Sequence, residues 1–126
     1  LPHIFFNVYI INILFFQIMN ILITGGAGYI GSTLAKDLLE KEYSVTLIDN
    51  FTYEQNSLAN ISHFKKLKVV KCDFRDFEKY NKELEASDII IPLAGLVGAP
   101  MCNKNPHEAE SINLEGQQNL FKKNKR

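Results

Sequence analysis

Ile21-Leu22-Ile23-Thr24-Gly25-Gly26-Ala27-Gly28-Tyr29-Ile30-Gly31 decides the fold of this chain. Ile21 to Thr24 is apolar or β-branched and predicts a buried strand. The strand runs into Gly25, Gly28 and Gly31 at three-residue spacing, with a helix starting near Gly28. The free N–H groups of a first helical turn and the positive end of its dipole then converge on one anion. Gly25 permits a tight turn, Gly28 lets a phosphate approach the backbone, and Gly31 lets the helix pack closely on its strand. Such a turn suits the pyrophosphate of a dinucleotide, although a glycine-rich connection also serves as a plain strand-to-helix bend.

The following residues complete a strand, helix, strand unit. Ile30, Leu34, Leu38 and Leu39 form one helical stripe with Lys36, Asp37, Glu40 and Lys41 opposite, and Val45 to Ile48 reads as a second strand ending at Asp49. Asp49 stands roughly 20 residues past the glycines, where a carboxylate accepts both hydroxyl protons of an adenosine ribose and selects NAD over NADP. The alternative for Asp49 is a helix or turn cap.

Downstream, a weakly helical stretch spans Ser57 to Phe64, and Leu67 to Lys71 reads as a third strand closed by Cys72-Asp73. Asp73 either reaches an adenine amino group or caps the next helix. That helix is expected over Arg75 to Ala86 with Phe77, Tyr80 and Leu84 inward, closed by Ser87-Asp88. Ile89-Ile90-Ile91 suits a parallel strand, and Pro92 is tolerable where its ladder finishes. Ala94 and Gly95 are small enough for a ligand to lie against their backbone, and Val97 to Asn103 reads as a loop. Asn105, Pro106 and Glu108 have the spacing of a capping box, opening a helix whose packing stripe is Ala109, Ile112, Gly116 and Leu120. Asn113 beside that stripe either points toward the ligand edge or is an ordinary exposed helix residue. The class expected is α/β: a Rossmann-type doubly wound parallel sheet, incomplete, of about four strands in the order 3-2-1-4.

At 126 residues there is room for one domain. Fourteen basic and fourteen acidic side chains cancel, with no strongly basic face or tail, so nucleic acid is not expected as a partner. Cys72 and Cys102 are far apart and His3, His63 and His107 are isolated, which suits a reduced, cytoplasmic protein without a metal. Cys72 is expected to fill core space. Residues 1–18 are expected to be an apolar extension outside the fold. Ile4 to Ile18 lacks the basic flanks of a membrane anchor and the basic start of a secretory signal. The preferred expectation is that the protein starts at Met19, leaving 19–126 as the dinucleotide-binding domain.

The combined pattern resembles the extended branch of the short-chain dehydrogenase/reductase family, the NAD-dependent nucleotide-sugar epimerases and dehydratases. The resemblance rests on Thr24 to Gly31, Asp49-Asn50, Asp73-Phe74-Arg75-Asp76, Leu93-Ala94-Gly95, and Asn105-Pro106 followed by Asn113, Gly116 and Asn119-Leu120. It implies NAD as cofactor. Tyr29 and Ile30 would touch the pyrophosphate through backbone N–H groups, Asp49 and Asn50 the ribose, Asp73 and Phe74 the adenine, and Leu93 to Gly95 the middle of the cofactor. Asn113 would support the nicotinamide end. Two departures are Pro92, where the family often has His, and Val97, where some members place Lys.

Family chemistry also uses a Tyr-x-x-x-Lys pair to take a sugar hydroxyl proton while hydride passes to NAD. None of Tyr9, Tyr29, Tyr43, Tyr53 or Tyr80 has Lys at the fourth position after it. The resemblance therefore implies an N-terminal, cofactor-binding piece of a longer nucleotide-sugar enzyme, inactive alone and able to form a homodimer when complete. The alternatives are a stand-alone NAD-binding regulatory module and, with residues 4–18 as an anchor, a membrane-attached form.

Overall fold

The computed structural model describes residues 18–53 and 56–124. The expectations for the extension before Ile18 therefore fall outside the described residues. Strands β1 (Asn20–Thr24), β2 (Ser44–Asp49), β3 (Leu67–Lys71) and β4 (Ile89–Pro92) form one parallel sheet in the order β3-β2-β1-β4. β1 is central: Thr24 pairs with Ile48 on one side and with Pro92 on the other, so three strand ends meet beside the glycine turn.

Period-two alternation divides the core. Ile21 and Ile23 face a cluster with Val45, Leu47 and Ile61, against which helix α1 (Tyr29–Glu40) packs Ala35 and Leu39. Leu22 and Ile48 face the opposite cluster of Cys72, Phe74, Tyr80, Leu84 and Leu120. Burying β1 on both faces explains its unbroken apolar run.

Several elements differ from expectation for identifiable reasons. The buried line of α1 is Gly31, Ala35 and Leu39, and Ile30 is 66% exposed. Contact between Gly31 and the backbone of the glycine turn sets the rotation of the helix, which turns Ile30 outward. Residues 57–63 form successive turns closed by bonds such as Ile61 N–H to Leu58 C=O at 3.1 Å, with Ile61 as their fully buried anchor. The helix expected over Arg75 to Ala86 is a 3-10 turn (Phe77–Tyr80) followed by α2 (Asn81–Ala86). Tyr80 leaves helical geometry at φ −140° because its buried hydroxyl donates to Phe74 C=O at 2.5 Å.

The stretch read as a loop contains helix α3 (Ala99–Lys104), opened by Gly98 at φ +92° and carrying Pro in its first turn. The next helix runs continuously through α4 (Pro106–Glu110), a π-helical turn (Ser111–Gly116) and α5 (Gln117–Lys123). Its capping box does not form. Asn105 makes no side-chain cap, and Glu108 is drawn to the Arg75 guanidinium at 3.0 Å. Among the described residues no helix is long and apolar enough to cross a membrane.

Candidate dinucleotide-binding site

A cavity of about 750 Å³ opens over the carboxyl ends of β1, β2 and β4, where an open α/β sheet reverses its winding and takes its ligand. Its floor is the glycine turn. Gly25 adopts φ +69°, and a Cβ there would lie 2.6 Å from Ala94 N, so strain and contact both demand glycine. A Cβ on Gly31 would fall 2.7 Å from the Gly25 carbonyl oxygen; the close approach expected of Gly31 is therefore to the turn's backbone. Gly28 differs: its φ is −69°, and an added Cβ would meet only Gly25 O at 3.2 Å. What glycine leaves open at that position is space at the helix entrance.

Gly28 is the N-cap of α1 and supplies no side-chain cap, and the first turn holds no acidic residue. The first bond closing the helix runs from Ser32 N–H to Gly28 C=O at 2.9 Å. The N–H groups of Tyr29, Ile30 and Gly31 precede it, and all three residues line the cavity. A diphosphate seated there would meet free donors and the positive end of a 12-residue helix.

At the tip of β2, Asp49 Oδ2 accepts the Ala27 N–H at 2.9 Å, and Oδ1 accepts the Phe51 N–H at 2.8 Å. One carboxylate thus ties the glycine turn to the loop after β2, the capping role held open for it. A carboxylate oxygen carries two lone pairs, so each retains one for a ligand hydroxyl. Asn50 Oδ1 holds the following turn through Thr52 N–H at 3.1 Å and Thr52 hydroxyl at 2.7 Å.

Past β3, Asp73 is gripped by Arg75 through Nε at 2.9 Å and NH2 at 2.5 Å, and by the Arg75 N–H at 2.9 Å. The Arg75 side chain is the largest reason that the Asp73 carboxyl titrates below the usual carboxylate range. The same guanidinium reaches Ser111 Oγ at 2.8 Å, fastening the β3 end to the π-helical turn. Asp73 caps neither helical segment after it. Phe74 lines the cavity while its ring belongs to the core over Gly116. Cys72 is buried as expected, and burial pushes its thiol pKa up.

On the β4 side, Leu93, Ala94 and Gly95 form the wall. The regular ladder ends with Leu93 N–H on Thr24 C=O at 3.0 Å, and side chains take over. Asn113 accepts Leu96 N–H and donates to Leu96 C=O, both at 2.8 Å, so it stands behind the wall instead of lining the cavity. The other site residues expected from the sequence, Gly25 through Gly95, all line this one cavity. Tyr53 and Leu96 line it too and were not anticipated, whereas Val97 and Met101 belong to the segment expected at a corner of the pocket; the Gly98 and Pro100 pair was the available signal for the helix that carries Met101.

A profile of the NAD dependent epimerase/dehydratase family matches residues 21–125. A Methanocaldococcus jannaschii protein described as an uncharacterized membrane protein is 31% identical over 110 residues, covering 85% of this chain and 32% of the relative. A UDP-N-acetylglucosamine 4,6-dehydratase (inverting) of Campylobacter jejuni is 31% identical over 108 residues, covering 84% and 32%. The crystal structure of DesIV, a dTDP-glucose 4,6-dehydratase from Streptomyces venezuelae with NAD and TYD bound, superposes with a TM-score of 0.76. It is 30% identical, over 83% of this chain and 35% of that one. The chain thus spans about a third of the length of the curated relatives it matches.

Proposed function

The chain belongs to the NAD-dependent epimerase/dehydratase family, and from that premise we propose that it is the NAD-binding N-terminal part of a nucleotide-sugar epimerase or dehydratase. The observation that carries this reading is the open entrance of α1 at Gly28, with the uncapped N–H groups of Tyr29, Ile30 and Gly31 facing one cavity. Those donors hold the pyrophosphate. Asp49, with Asn50 beside it, receives the adenosine ribose hydroxyls on its remaining lone pairs and disfavours the 2′-phosphate of NADP by charge. Asp73 and Phe74 border the adenine. Leu93, Ala94 and Gly95 flank the second half of the dinucleotide, and Asn113 supports that wall from behind.

Bound NAD supplies hydride acceptance from a sugar carbon. None of the five tyrosines in the sequence carries the Lys four residues on that the family's proton acceptor uses. Tyr80 keeps its hydroxyl proton on Phe74 C=O, and burial pushes its pKa upward, opposite to what a phenolate base requires. These residues by themselves therefore bind NAD without turning over a nucleotide sugar. The sugar nucleotide, homodimer formation and a cytoplasmic setting belong to this proposal as properties of the enzyme containing this domain.

Isothermal titration of NAD and NADP into the chain and its Gly28→Val variant tests it. The expected result is saturable 1:1 binding of NAD, NADP weaker by at least about tenfold, and loss of binding in a still-folded Gly28→Val. Folded protein that gives no heat with NAD, or equal affinity in Gly28→Val, overturns it.

A further inference from the structure

The backbone of residues 94–96 leaves the sheet before it leaves the cavity wall. Beyond the bond from Leu93 N–H to Thr24 C=O it has no strand partner, and its polar groups are met by side chains. Ala94 N–H reaches Thr24 Oγ1 at 3.4 Å, Ala94 C=O accepts from Gln117 Nε2 at 2.7 Å, and Leu96 lies on the Asn113 amide at both of its backbone groups. Asn113 and Gln117 are one helical turn apart, spanning the junction between the π-helical turn and α5. Together they act as a substitute strand made of side-chain amides.

Gln117 does this at a cost. Its Oε1 is buried and has no hydrogen-bond partner among the described residues, an arrangement that ordinarily destabilises a fold. The amide cannot be turned round to relieve it, because Oε1 would then oppose the Ala94 carbonyl oxygen. A buried polar group kept at such a cost calls for an explanation, and the neighbourhood of Ala94 offers one. Gly25 and Ala94 are in backbone contact, with the site of a Gly25 Cβ only 2.6 Å from Ala94 N. Ala94 is therefore held from both sides, by the glycine turn at the Leu93–Ala94 peptide and by Gln117 at its own carbonyl. A trans peptide points its C=O and the next N–H in opposite directions. Holding the Ala94 carbonyl on the helix thus turns the Gly95 N–H away from Gln117.

We propose that Gln117 is a positioning residue for the second nucleotide half of the dinucleotide: it touches no ligand and fixes the Ala94-Gly95 peptide against which that half lies. The inference rests on the NAD-binding reading above and adds the residue that shapes the β4 side of the cavity. Asp49, Asn50 and Asp73, which serve the adenosine end, are not in contact with Gln117 through any of its hydrogen bonds. Its effect should divide between the two ends of the ligand.

The test compares NAD with ADP, which lacks the second ribose and the nicotinamide, by isothermal titration on the full chain and on Gln117→Leu and Gln117→Met. Both substitutions remove the donor together with the orphaned oxygen and bring in no charge; Met also keeps the unbranched shape. Both variants should bind NAD about three- to tenfold more weakly, the worth of one net hydrogen bond, and ADP within about twofold of the parent. Gln117→Leu should unfold near the parent temperature, since the orphaned oxygen goes as the Ala94 carbonyl loses its donor; if it does not fold, Gln117→Met carries the comparison. Equal weakening of both ligands, or unchanged NAD affinity, overturns the positioning role. Failure of the parent chain to bind either ligand overturns the NAD reading beneath it.

Discussion

The two walls of the cavity are built by different means. On the β1 side the backbone shapes itself, with Gly25 in the left-handed region and Gly31 against the turn's carbonyl, and a single side chain, Asp49, ties Ala27 to Phe51. On the β4 side an irregular segment is held from outside, by Asn113 and Gln117 on a helix interrupted by a π-helical turn. A wall made by its own backbone tolerates almost no substitution. One made by borrowed side chains should lose function in increments while the fold survives.

The largest effect is expected at Gly25. Gly25→Val adds a β-branched side chain at φ +69° and drives it into Ala94 and Leu93, costing about 3 kcal/mol or more by strain and overpacking. Thermal unfolding should show a drop of many degrees or no folded protein; a near-parental midpoint would mean that the turn can relax and that the contrast between the walls is false. Asp49→Ala comes next. It strips the acceptor from the Ala27 and Phe51 N–H groups, so a loss of about 1–3 kcal/mol in urea unfolding and at least about tenfold in NAD affinity is expected. Stability without change would remove Asp49 as the tie between the two loops.

Tyr80→Phe should cost about 1 kcal/mol, through the buried Phe74 carbonyl left without its donor, while NAD affinity stays within about twofold. A marked fall in affinity would give Tyr80 a role at the ligand. The smallest effect is the acid response of Asp73. Arg75 depresses the carboxyl's folded pKa below its unfolded value, so the pair stabilises at neutral pH, and its contribution fades as pH falls from about 4 through the folded value. Asp73 is 37% exposed, so after screening the contribution is below about 1 kcal/mol. Arg75→Ala should flatten the acid limb of a stability-against-pH curve slightly; an unchanged limb would mean solvent screens the pair completely.

The contrast between the walls also explains what the residues disclosed. The strands, the span of β3, the start of α1 and the glycine turn were legible because unbroken apolar runs and glycine spacing are local properties of the chain, while the strand order and the gathering of Asp49, Asp73 and Leu93 to Gly95 followed from the doubly wound pattern. The outward turn of Ile30 was not, since close packing at Gly31 sets the rotation of α1. Tyr80 kept the inward face expected of it but interrupted the helix with one buried hydroxyl bond, and Glu108 left a capping box for Arg75, a partner 33 residues away. The spacing alone left Asn113 open between the ligand edge and an ordinary helix position, because its partner, Leu96, lies in a segment with no pattern of its own. Long-range polar contacts override local signals without leaving a mark in spacing.

At 14.4 kDa the chain suits residue-resolved NMR, and following its backbone amides during an NAD titration tests the central claim most directly. The account predicts the largest saturable shifts at Tyr29, Ile30 and Gly31, with further movement at Phe51 and from Ala94 to Leu96, and little at Ser87 and Asp88, which precede β4 at the opposite end of the sheet. Saturable binding that leaves the amides of Tyr29 to Gly31 unmoved would contradict it.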